Sequence, residues 1–457
     1  MSETKTIFYI FNLSKAVRNF GKGGVIEALV NQGFRVVAFG VRPDAREGIR
    51  RDFGDSVVFE DLGPTPHKGL ARRVERLVTY IWRSCIDYQS VRIRHGSDGS
   101  FKLSLWLELA AGRILHLLPV GLWEKLQERF AEWPRGAELV EKYRPSGIII
   151  TNPIAEENAA VNWLKNRGIH TAAMIESWDN LTIRGGLYAY PHDMFVWGDL
   201  MKNEAVNYHK MDPTRVHGVG LPSFDIYWNN ALYPSEAEWR RQMDIPAGAP
   251  VVSYPTSPSL RHNQQDVYLN LMLEAQKAGR LPADAIFLVR IHREDDPSVY
   301  EKWKANPSVR IQAADACLEG MDPDLGRTLM LAATMRYSHV MVNLFSTTVL
   351  DGMVNGTPSV CIAFDPAARE GGLHKVQRSI RRFLNDKHIK DIIAFGAVPV
   401  ANNGEEMITH LRAFLENKDH NLAERKKCLG ATLARLDGRS AEYFASLYKD
   451  LLGKRPA

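Results

Sequence analysis

The chain has 457 residues, of which 45% are hydrophobic and 24% are charged, and its formal net charge is +5. This length is too great for one ordinary core and suits two or three domains, and the composition is that of a globular protein. The mild positive charge suits anionic ligands or a membrane surface without identifying either.

Four cysteines lie far apart in the sequence, at Cys85, Cys317, Cys361 and Cys428. Because none has Cys-x-x-Cys or Cys/His ligand spacing, we expect neither a zinc site nor a disulfide framework. The first residues lack the apolar core and cleavage site of a signal peptide, and no apolar run is long enough to span a bilayer. We therefore expect a cytoplasmic protein, with peripheral contact at a membrane surface as an open alternative.

The chain opens with a predicted βαβ unit: a strand at 7–11, a helix at 24–32 and a strand at 33–40. This order implies a parallel sheet. The loop before the helix carries Arg18, Asn19 and Gly21, whose types suit contact with a phosphate or carboxylate. It lacks the Gly-x-Gly-x-x-Gly dinucleotide spacing, so a ligand-binding loop and a flexible turn both remain open.

Residues 65–135 interrupt the α/β rhythm and are predicted to be helical. Aromatic and aliphatic residues alternate there with a basic cluster, made of Lys68, Arg72, Arg73, Arg76 and Arg83. Basic amphipathic helices with Trp lie on anionic bilayers. The alternative is a helical insertion that packs on the core and leaves its charges in water.

The strand rhythm resumes at 146–151 and continues at 169–175, 193–197 and 216–225. Proline and glycine concentrate at 244–250, the predicted linker. A second series of strands is predicted at 251–254, 286–291, 309–312, 337–342 and 359–363, before a mostly helical tail at 405–452. We predict an α/β protein with domains at 1–240 and 241–425 and a tail at 426–457. Two Rossmann-like halves in this order describe the GT-B architecture, whose active site lies in the cleft between the halves.

A polar loop follows the strand predicted at 169–175 and contains Glu176, Trp178 and Asp179. In open α/β sheets, ligands bind at the carboxyl ends of strands. Glu176 and Asp179 are therefore candidate general bases for an acceptor hydroxyl. Trp178 either stacks on a sugar ring or fills the core, and Asp179 is equally suited to cap a helix.

A charged stretch ends the strand predicted at 286–291 and contains Arg290, His292 and Arg293. Arginine binds phosphate oxygens in bidentate geometry, so these residues are candidates for donor binding, with His292 also a candidate for catalysis. The alternative is a solvated charge run in which Asp295 or Asp296 caps the next helix.

The strand predicted at 337–342 leads into Ser346, Thr347 and Thr348, where a helix is expected to begin. Hydroxyl side chains cap the orphan N–H groups of a helix, and those groups also attract anions. This turn is either a diphosphate site or an ordinary cap. Asp322 and Asp324 have Asp-x-Asp spacing, but they lie in a proline turn, and we predict neither a metal nor a separate cofactor.

These motifs resemble known families. The stretch 18–29 with 33–37, the loop 177–185 and the stretch 220–225 are similar to bacterial capsule and O-antigen glycosyltransferases of GT-B type. The strand end at His292 and the turn at Ser346 are similar to CDP-glycerol glycerophosphotransferases and UDP-GlcNAc 2-epimerases. The resemblance covers most of the chain except 65–135, and it implies that these two strand ends hold the diphosphate and nucleotide of a donor.

The resemblance implies an inverting, metal-independent transferase that moves a sugar from a nucleotide-sugar to a surface glycan, free or lipid-linked, at the inner face of a bacterial inner membrane. The donor is expected at 250–400 and the acceptor at the first half, near Arg18, Asn19, Gly21 and Trp178. No nucleic-acid partner is expected. The chain lacks the paired acidic and histidine signatures of the 2-epimerases. A CDP-polyol phosphotransferase, a nucleotide-sugar epimerase and a non-catalytic scaffold remain as alternatives.

Overall fold

The computed structural model describes residues 4–11, 24–64, 69–86, 103–153, 159–258, 265–319, 321, 323–365 and 379–454. These residues form two compact units. Unit 1 contains the chain as far as Trp228 together with the residues from Gly430 onward, and unit 2 contains Asn229–Leu429.

Unit 1 is built on one parallel sheet of seven strands in the order β3-β2-β1-β4-β5-β6-β7. The strands are β1 (Thr6–Ile10), β2 (Arg35–Phe39), β3 (Val57–Glu60), β4 (Gly147–Ile150), β5 (His170–Met174), β6 (Asp193–Val196) and β7 (Val216–Gly218). Nearly every residue of β1, β4, β5 and β6 is buried, as expected for a parallel sheet covered on both faces.

Nine helices of unit 1 precede Trp228 in the described residues. They are α1 (Ile26–Asn31), α2 (Pro43–Phe53), α3 (Leu70–Cys85), α4 (Leu103–Leu115), α5 (Val120–Arg129), α6 (Gly136–Tyr143), α7 (Ala159–Lys165), α8 (Asn180–Ile183) and α9 (Asp199–His209). Short 3-10 helices lie at Gly54–Ser56, Pro213–Arg215 and Pro222–Trp228.

One face of the unit 1 sheet packs around Trp133. Its ring contacts Phe8 and Phe39 edge-on, at centroid distances of 6.2 and 6.3 Å, and its Nε1 donates to the Leu62 carbonyl oxygen at 2.8 Å. The indole therefore fills the core while its one polar atom remains hydrogen-bonded. Ile148 and Ile150 of β4 complete this cluster.

Unit 2 has a parallel sheet of six strands in the order β10-β9-β8-β11-β12-β13. The strands are β8 (Val251–Pro255), β9 (Ile286–Arg290), β10 (Val309–Gln312), β11 (Val340–Asn343), β12 (Ser359–Ile362) and β13 (Val400–Ala401). This is the doubly wound strand order of a Rossmann fold.

The remaining helices follow in chain order. They are α10 (Glu236–Gln242), α11 (Asp266–Lys277), α12 (Pro323–Tyr337), α13 (Thr348–Val354), α14 (Lys387–Ala394), α15 (Gly404–Glu416), α16 (Leu422–Thr432) and α17 (Ser440–Gly453), with 3-10 helices at Asn230–Leu232, Pro297–Trp303 and Ile380–Asn385. Two α/β units, the first with a helical insertion, confirm the predicted fold class.

Helix α17 packs on unit 1. The Asp225 carboxylate accepts hydrogen bonds from the backbone N–H groups of Ser440 at 3.0 Å and Ala441 at 2.9 Å, at the start of the helix. Phe444 contacts Phe195 of β6 edge-on, with ring centroids 4.7 Å apart. Gly220 permits this approach, because a Cβ there would lie 2.4 Å from the Ser440 Oγ.

The unit boundaries differ from the domains expected at 1–240, 241–425 and 426–457. The structure divides the chain after Trp228 and after Leu429, and it joins the tail to unit 1. The first difference arises because Trp239 of α10 packs on Tyr337 of unit 2, at a centroid distance of 5.6 Å. The second arises from the packing of α17 on β6.

The predicted helical insertion is confirmed by α3, α4 and α5. Trp82 of α3 ties the insertion to unit 1 by donating from Nε1 to the Leu181 carbonyl oxygen at 3.3 Å. In the described part of the chain, no single helix has the length and apolarity to cross a bilayer. The pair α4 and α5 passes the length and composition test when taken together, but its helices are bent by 105°.

Candidate functional site

The carboxyl edge of the unit 2 sheet has a topological switch point between β8 and β11. These strands are neighbours in the sheet, but the chain leaves β8 toward β9 and leaves β11 toward β12. Ligands of doubly wound sheets bind in the crevice at this point. The side chains that follow β8, β9 and β11 therefore define the candidate site of unit 2.

The turn after β11 is organised by Asn343, which is fully buried. Its Oδ1 accepts from the Ser346 backbone N–H at 2.8 Å, and its Nδ2 donates to the Thr348 Oγ1 at 2.6 Å and the Ser346 Oγ at 3.2 Å. The Ser346 and Thr348 hydroxyls are 2.5 Å apart. The amide thus holds two hydroxyls in one orientation at the strand end.

The backbone of this turn is unusual, because Phe345 has a φ of 56°. A bulky residue in this left-handed region carries strain, and such strain concentrates at ligand sites and switch regions. Thr347 is exposed and precedes the first residue of α13 without a side-chain cap. Capping at this turn instead comes from the Ser346 Oγ, which accepts from the Thr348 N–H at 3.3 Å.

The ends of β8 and β9 are joined through Thr256. Its N–H donates to the Arg290 carbonyl oxygen at 2.9 Å, and its Oγ1 accepts from the His292 N–H at 2.8 Å. The His292 Nδ1 accepts from the Glu294 N–H at 3.1 Å. A neutral His292 ring therefore carries its proton on Nε2, where it is a hydrogen-bond donor.

The two arginines beside His292 differ in environment. Arg290 donates from Nη1 to the Gln312 Oε1 at 2.5 Å, which directs its guanidinium toward β10. The Arg293 side chain is 56% exposed and lies 3.6 Å from the Glu294 carboxylate. Asp296 caps the 3-10 helix Pro297–Trp303 by accepting from the Ser298 N–H at 2.9 Å, so the capping interpretation is correct for this residue.

Two further pairs of described residues at this edge are joined by hydrogen bonds. Gln265 exchanges two hydrogen bonds of 2.6 Å with the Ser257 backbone, across residues 259–264. Asp365 accepts from the Ser379 Oγ at 2.5 Å and the Ile380 N–H at 2.9 Å, across residues 366–378. Residues 259–264 and 366–378 themselves lie outside the described residues.

In unit 1, Glu176 directly follows the carboxyl end of the β5 ladder and is buried. It neighbours Tyr9 of β1, whose pKa lies well above its ordinary value, first because of burial and second because of the Glu176 charge. A carboxylate at the carboxyl edge of the sheet can accept a proton from a hydroxyl substrate.

The other two residues of this loop are engaged within the protein. Asp179 accepts from the Ser177 Oγ at 2.6 Å and forms an ion pair with Arg184 at 2.9 Å. The Asp179 charge is therefore already balanced by the Arg184 guanidinium. Trp178 is only 8% exposed, which favours the core-filling interpretation over stacking on a sugar ring.

The structure thus brings Arg290, His292, Ser346, Thr347 and Thr348 to one sheet edge. The acceptor residues predicted at Arg18, Asn19 and Gly21 lie outside the described residues and stay predictions. No group of three or more His, Cys, Asp or Glu side chains with metal-site geometry occurs among the residues that the structure describes. Asp322 and the Asp324 side chain are not among them.

Sequence reasoning missed the roles of Asn343, Thr256 and Gln312. A usable signal existed for Asn343, because an amide that ends an apolar strand three residues before a serine can accept from that serine's N–H. Thr256 and Gln312 acquire their roles only through neighbouring strands, which requires the strand order.

The sequence matches no protein-family model and no curated protein. Solved structures resemble it over nearly the whole chain. The UDP-GlcNAc 2-epimerase from Methanocaldococcus jannaschii matches with a TM-score of 0.56 and 10% identity, over 97% of this chain and 99% of that one. The UDP-GlcNAc 2-epimerase from Neisseria meningitidis, solved with bound UDP-GlcNAc, matches with a TM-score of 0.55 and 11% identity, over 97% and 100%.

A glycosyltransferase from Rickettsia africae also matches, with a TM-score of 0.52 and 11% identity, over 99% of this chain and 100% of that one. At these identities the likeness concerns the fold. The chain accordingly has the fold of the GT-B glycosyltransferases and UDP-GlcNAc 2-epimerases, as the sequence predicts.

Proposed function

We propose that the protein is an inverting GT-B glycosyltransferase that uses a nucleotide-sugar donor without a metal ion. One observation carries this proposal: the Asn343 amide orients the Ser346 and Thr348 hydroxyls at the switch point of the unit 2 sheet. Hydroxyl groups whose orientation is already fixed at this position suit a diphosphate. They need no reorganisation when negative charge develops on the diphosphate.

The chemistry follows from the roles of the residues. The acceptor oxygen attacks the anomeric carbon while the bond from that carbon to the diphosphate oxygen breaks, and the bonding electrons leave with the nucleotide. His292 and Arg290, with Ser346 and Thr348, would balance the charge on the departing diphosphate. Glu176 would take the proton of the acceptor hydroxyl. Attack opposite the leaving group inverts the anomeric centre.

The acceptor in this proposal is a growing bacterial surface glycan, of capsule or O-antigen type, and unit 1 would bind it. This choice rests on the resemblance of the loops at 177–185 and 220–225 to such transferases. A lipid-linked acceptor would bring the enzyme to a membrane surface, and that contact depends on different residues, those of the helical insertion.

A nucleotide-sugar 2-epimerase is the second candidate, because two of the three solved structures named above are UDP-GlcNAc 2-epimerases. An epimerase converts its donor without any acceptor. Incubation of the protein with UDP-GlcNAc alone, followed by NMR of the sugar, separates the candidates: a new 2-epimer signal supports the epimerase and contradicts the transferase.

The first test is nucleotide binding, measured by thermal unfolding with UDP, GDP, CMP, CDP and dTDP, each with and without Mg²⁺. A ligand that binds only the folded state raises the melting temperature by mass action. We expect one nucleotide to do so in the presence of EDTA. Thr348→Ala should reduce the shift, whereas Thr409→Ala, an exposed threonine on α15, should not. Absence of any shift would contradict nucleotide binding.

A further inference from the structure

We propose that the helical insertion of unit 1 binds the surface of an anionic lipid bilayer through the outer faces of α4 and α5. This proposal is independent of the nucleotide site, because it rests on unit 1 residues alone. The outer surface is called the insertion face, and its large apolar side chains are Leu103, Trp106, Leu107, Ile114, Leu117 and Leu122.

The insertion face is apolar where a globular protein is normally polar. Trp106 is 52% exposed, Ile114 68% and Leu117 81%. Leu103, Leu107, Ile114 and Leu117 fall on one stripe of α4 and its C-terminal extension, because their spacings of 4, 7 and 3 residues follow the helical repeat. Contiguous exposed apolar surface of this kind marks a site of contact with a protein or a membrane.

The faces of α4 and α5 that lie opposite the insertion face are packed on the rest of unit 1. The apolar residues of the insertion face are therefore additional to those that the helices bury. Leu105 of α4 packs on Trp82 of α3, and a Cβ at Gly112 would lie 2.1 Å from the Tyr80 carbonyl oxygen. In α5, Trp123 is buried and the Gln127 Nε2 donates to the Leu187 carbonyl oxygen at 3.0 Å.

The exposed charges on α4 and α5 are positive. Arg113, Lys125 and Arg129 are exposed, and no ion pair is found for them among the described residues. Lys125 and Arg129 lie three and seven residues after Leu122, on the same face of α5.

The carboxylates of α4 and α5 are all engaged and none is exposed. Glu108 forms an ion pair with Arg83, while Glu124 and Glu128 pair with Lys165 at 3.4 and 2.9 Å. Among the described residues of α4 and α5, the only exposed charges without an ion pair are therefore cations. Apolar side chains flanked by free cations complement a bilayer with anionic head groups.

The geometry selects surface binding over spanning. Helix α4 has 13 residues, about 20 Å at 1.5 Å per residue, against a hydrocarbon core of about 30 Å. Helix α5 turns away from α4 by 105°. A second copy of the chain is disfavoured as the occupant, because a two-fold interface would bring the same three cations of both copies together.

Vesicle flotation of the full chain tests this proposal. We expect the protein to float with vesicles of phosphatidylcholine and phosphatidylglycerol, to stay at the bottom with phosphatidylcholine alone, and to dissociate as salt is raised. Replacing Arg113, Lys125 and Arg129 together by Gln should lower the partition coefficient on the order of 100-fold. The matched control replaces three exposed cations elsewhere in unit 1, Lys5, Arg144 and Lys454, by Gln and should bind vesicles as the wild type does.

The apolar contribution is tested with L107S/I114S/L117S, which we expect to bind vesicles at least about ten-fold more weakly. Leu436→Ser is the control, since Leu436 is also exposed in unit 1. The fluorescence of Trp106 provides a second test of membrane contact, which is made on the wild type. Brominated lipids should quench the tryptophan fluorescence of the wild type, and Trp106→Phe should remove most of that quenching.

Any of three results would overturn the proposal. The first is a wild type that does not float with phosphatidylglycerol vesicles, and the second is a triple serine variant that floats equally well. The third is a wild-type dimer that the triple serine variant makes monomeric without any vesicle binding, which would assign the insertion face to a second copy. The nucleotide-dependent thermal shift of these variants should equal that of the wild type, so failure here is distinguishable from failure of the donor site.

Discussion

The side chain of Asn343 holds Ser346 at two points, accepting from its backbone N–H at 2.8 Å and donating to its Oγ at 3.2 Å. A buried amide with hydrogen bonds on both sides is costly to replace, because each partner left unsatisfied costs about 1–3 kcal/mol. The arrangement of this turn therefore depends on a residue that precedes it.

We expect Asn343→Ala to weaken nucleotide binding by about ten-fold, because the loss of even one oriented hydrogen bond is worth about 1.4 kcal/mol. Titration calorimetry with the nucleotide identified by thermal shift measures the change. Asn270→Ala, at an exposed position of α11, is the matched control and should bind normally. An unchanged affinity in Asn343→Ala would separate this turn from the ligand.

His292→Ala should reduce kcat about 100-fold or more, since removing one donor from a developing oxyanion commonly costs this much. The measurement is transfer of labelled sugar at saturating donor. His420→Ala, an exposed histidine of unit 2, should retain full activity. A change confined to KM would instead assign His292 to uniform binding of the donor in both ground and transition states.

Asp193 connects two histidines at the amino edge of the unit 1 sheet. Its Oδ2 contacts the His170 Nε2 at 2.8 Å and its Oδ1 contacts the His217 Nε2 at 2.7 Å. Burial alone would raise the pKa of Asp193, but the hydrogen bonds and charges of the two histidines lower it to well below its ordinary value.

Because the folded-state pKa of Asp193 lies below its unfolded value, this carboxylate stabilises the fold above about pH 4 and ceases to do so as the pH falls further. Asp193→Asn should therefore lower the melting temperature at pH 7 and flatten its decline between pH 4 and pH 3. Thermal unfolding across this range tests the expectation, with the exposed Asp52→Asn as control. Parallel curves for Asp193→Asn and wild type would refute it.

His209 is neutral in the folded protein, whereas Asp193 is charged. Burial lowers its pKa to about 4, and its Nε2 lies 2.7 Å from the Leu181 carbonyl oxygen, as expected for a neutral ring that donates there. In the unfolded chain the ring gains its proton near the ordinary value of 6.5. The free energy of unfolding should thus fall by up to about 1.4 kcal/mol per pH unit as the pH drops from 6.5 toward 4.

His209→Gln should remove this part of the pH dependence, because the Gln amide can still donate to Leu181 but does not titrate. Urea unfolding at pH 7 and pH 5 measures it. His116→Gln, at an exposed position, should leave the dependence intact. Equal loss of stability in His209→Gln and the wild type between these two pH values would contradict this role for His209.

The sequence predicts most strands of both sheets, because the strands are short apolar runs between glycine- and proline-containing turns. It does not predict β13, which has only two residues, or β3, whose Val57–Glu60 run is too short to stand out. Helix α17 is predicted as a helix, but its place in unit 1 depends on contacts with Asp225 and Phe195. Such contacts between distant residues leave no local pattern.

The candidate site also contains features that the sequence predicts and features that it does not. His292 and Ser346 are predictable because each follows an apolar strand, where the carboxyl edge of a parallel sheet must lie. The link between Thr256 and His292 depends on which strands are neighbours. The ion pair that engages Asp179 comes from Arg184, five residues away across the short helix α8, a spacing at which side chains of a regular helix do not face each other.

Asp225 and Ser440 are in contact although they lie 215 residues apart in the sequence. This separation means that the two units complete their folding at different times during synthesis. The described residues of unit 2 all lie within Asn229–Leu429, so a ribosome completes them while α17 is still unmade. Until α17 emerges, Phe195 of β6 lacks its contact with Phe444, and contacts this distant in sequence form slowly. Unit 1 is therefore the part of the nascent chain most in need of a chaperone: its synthesis begins first and its folding finishes last.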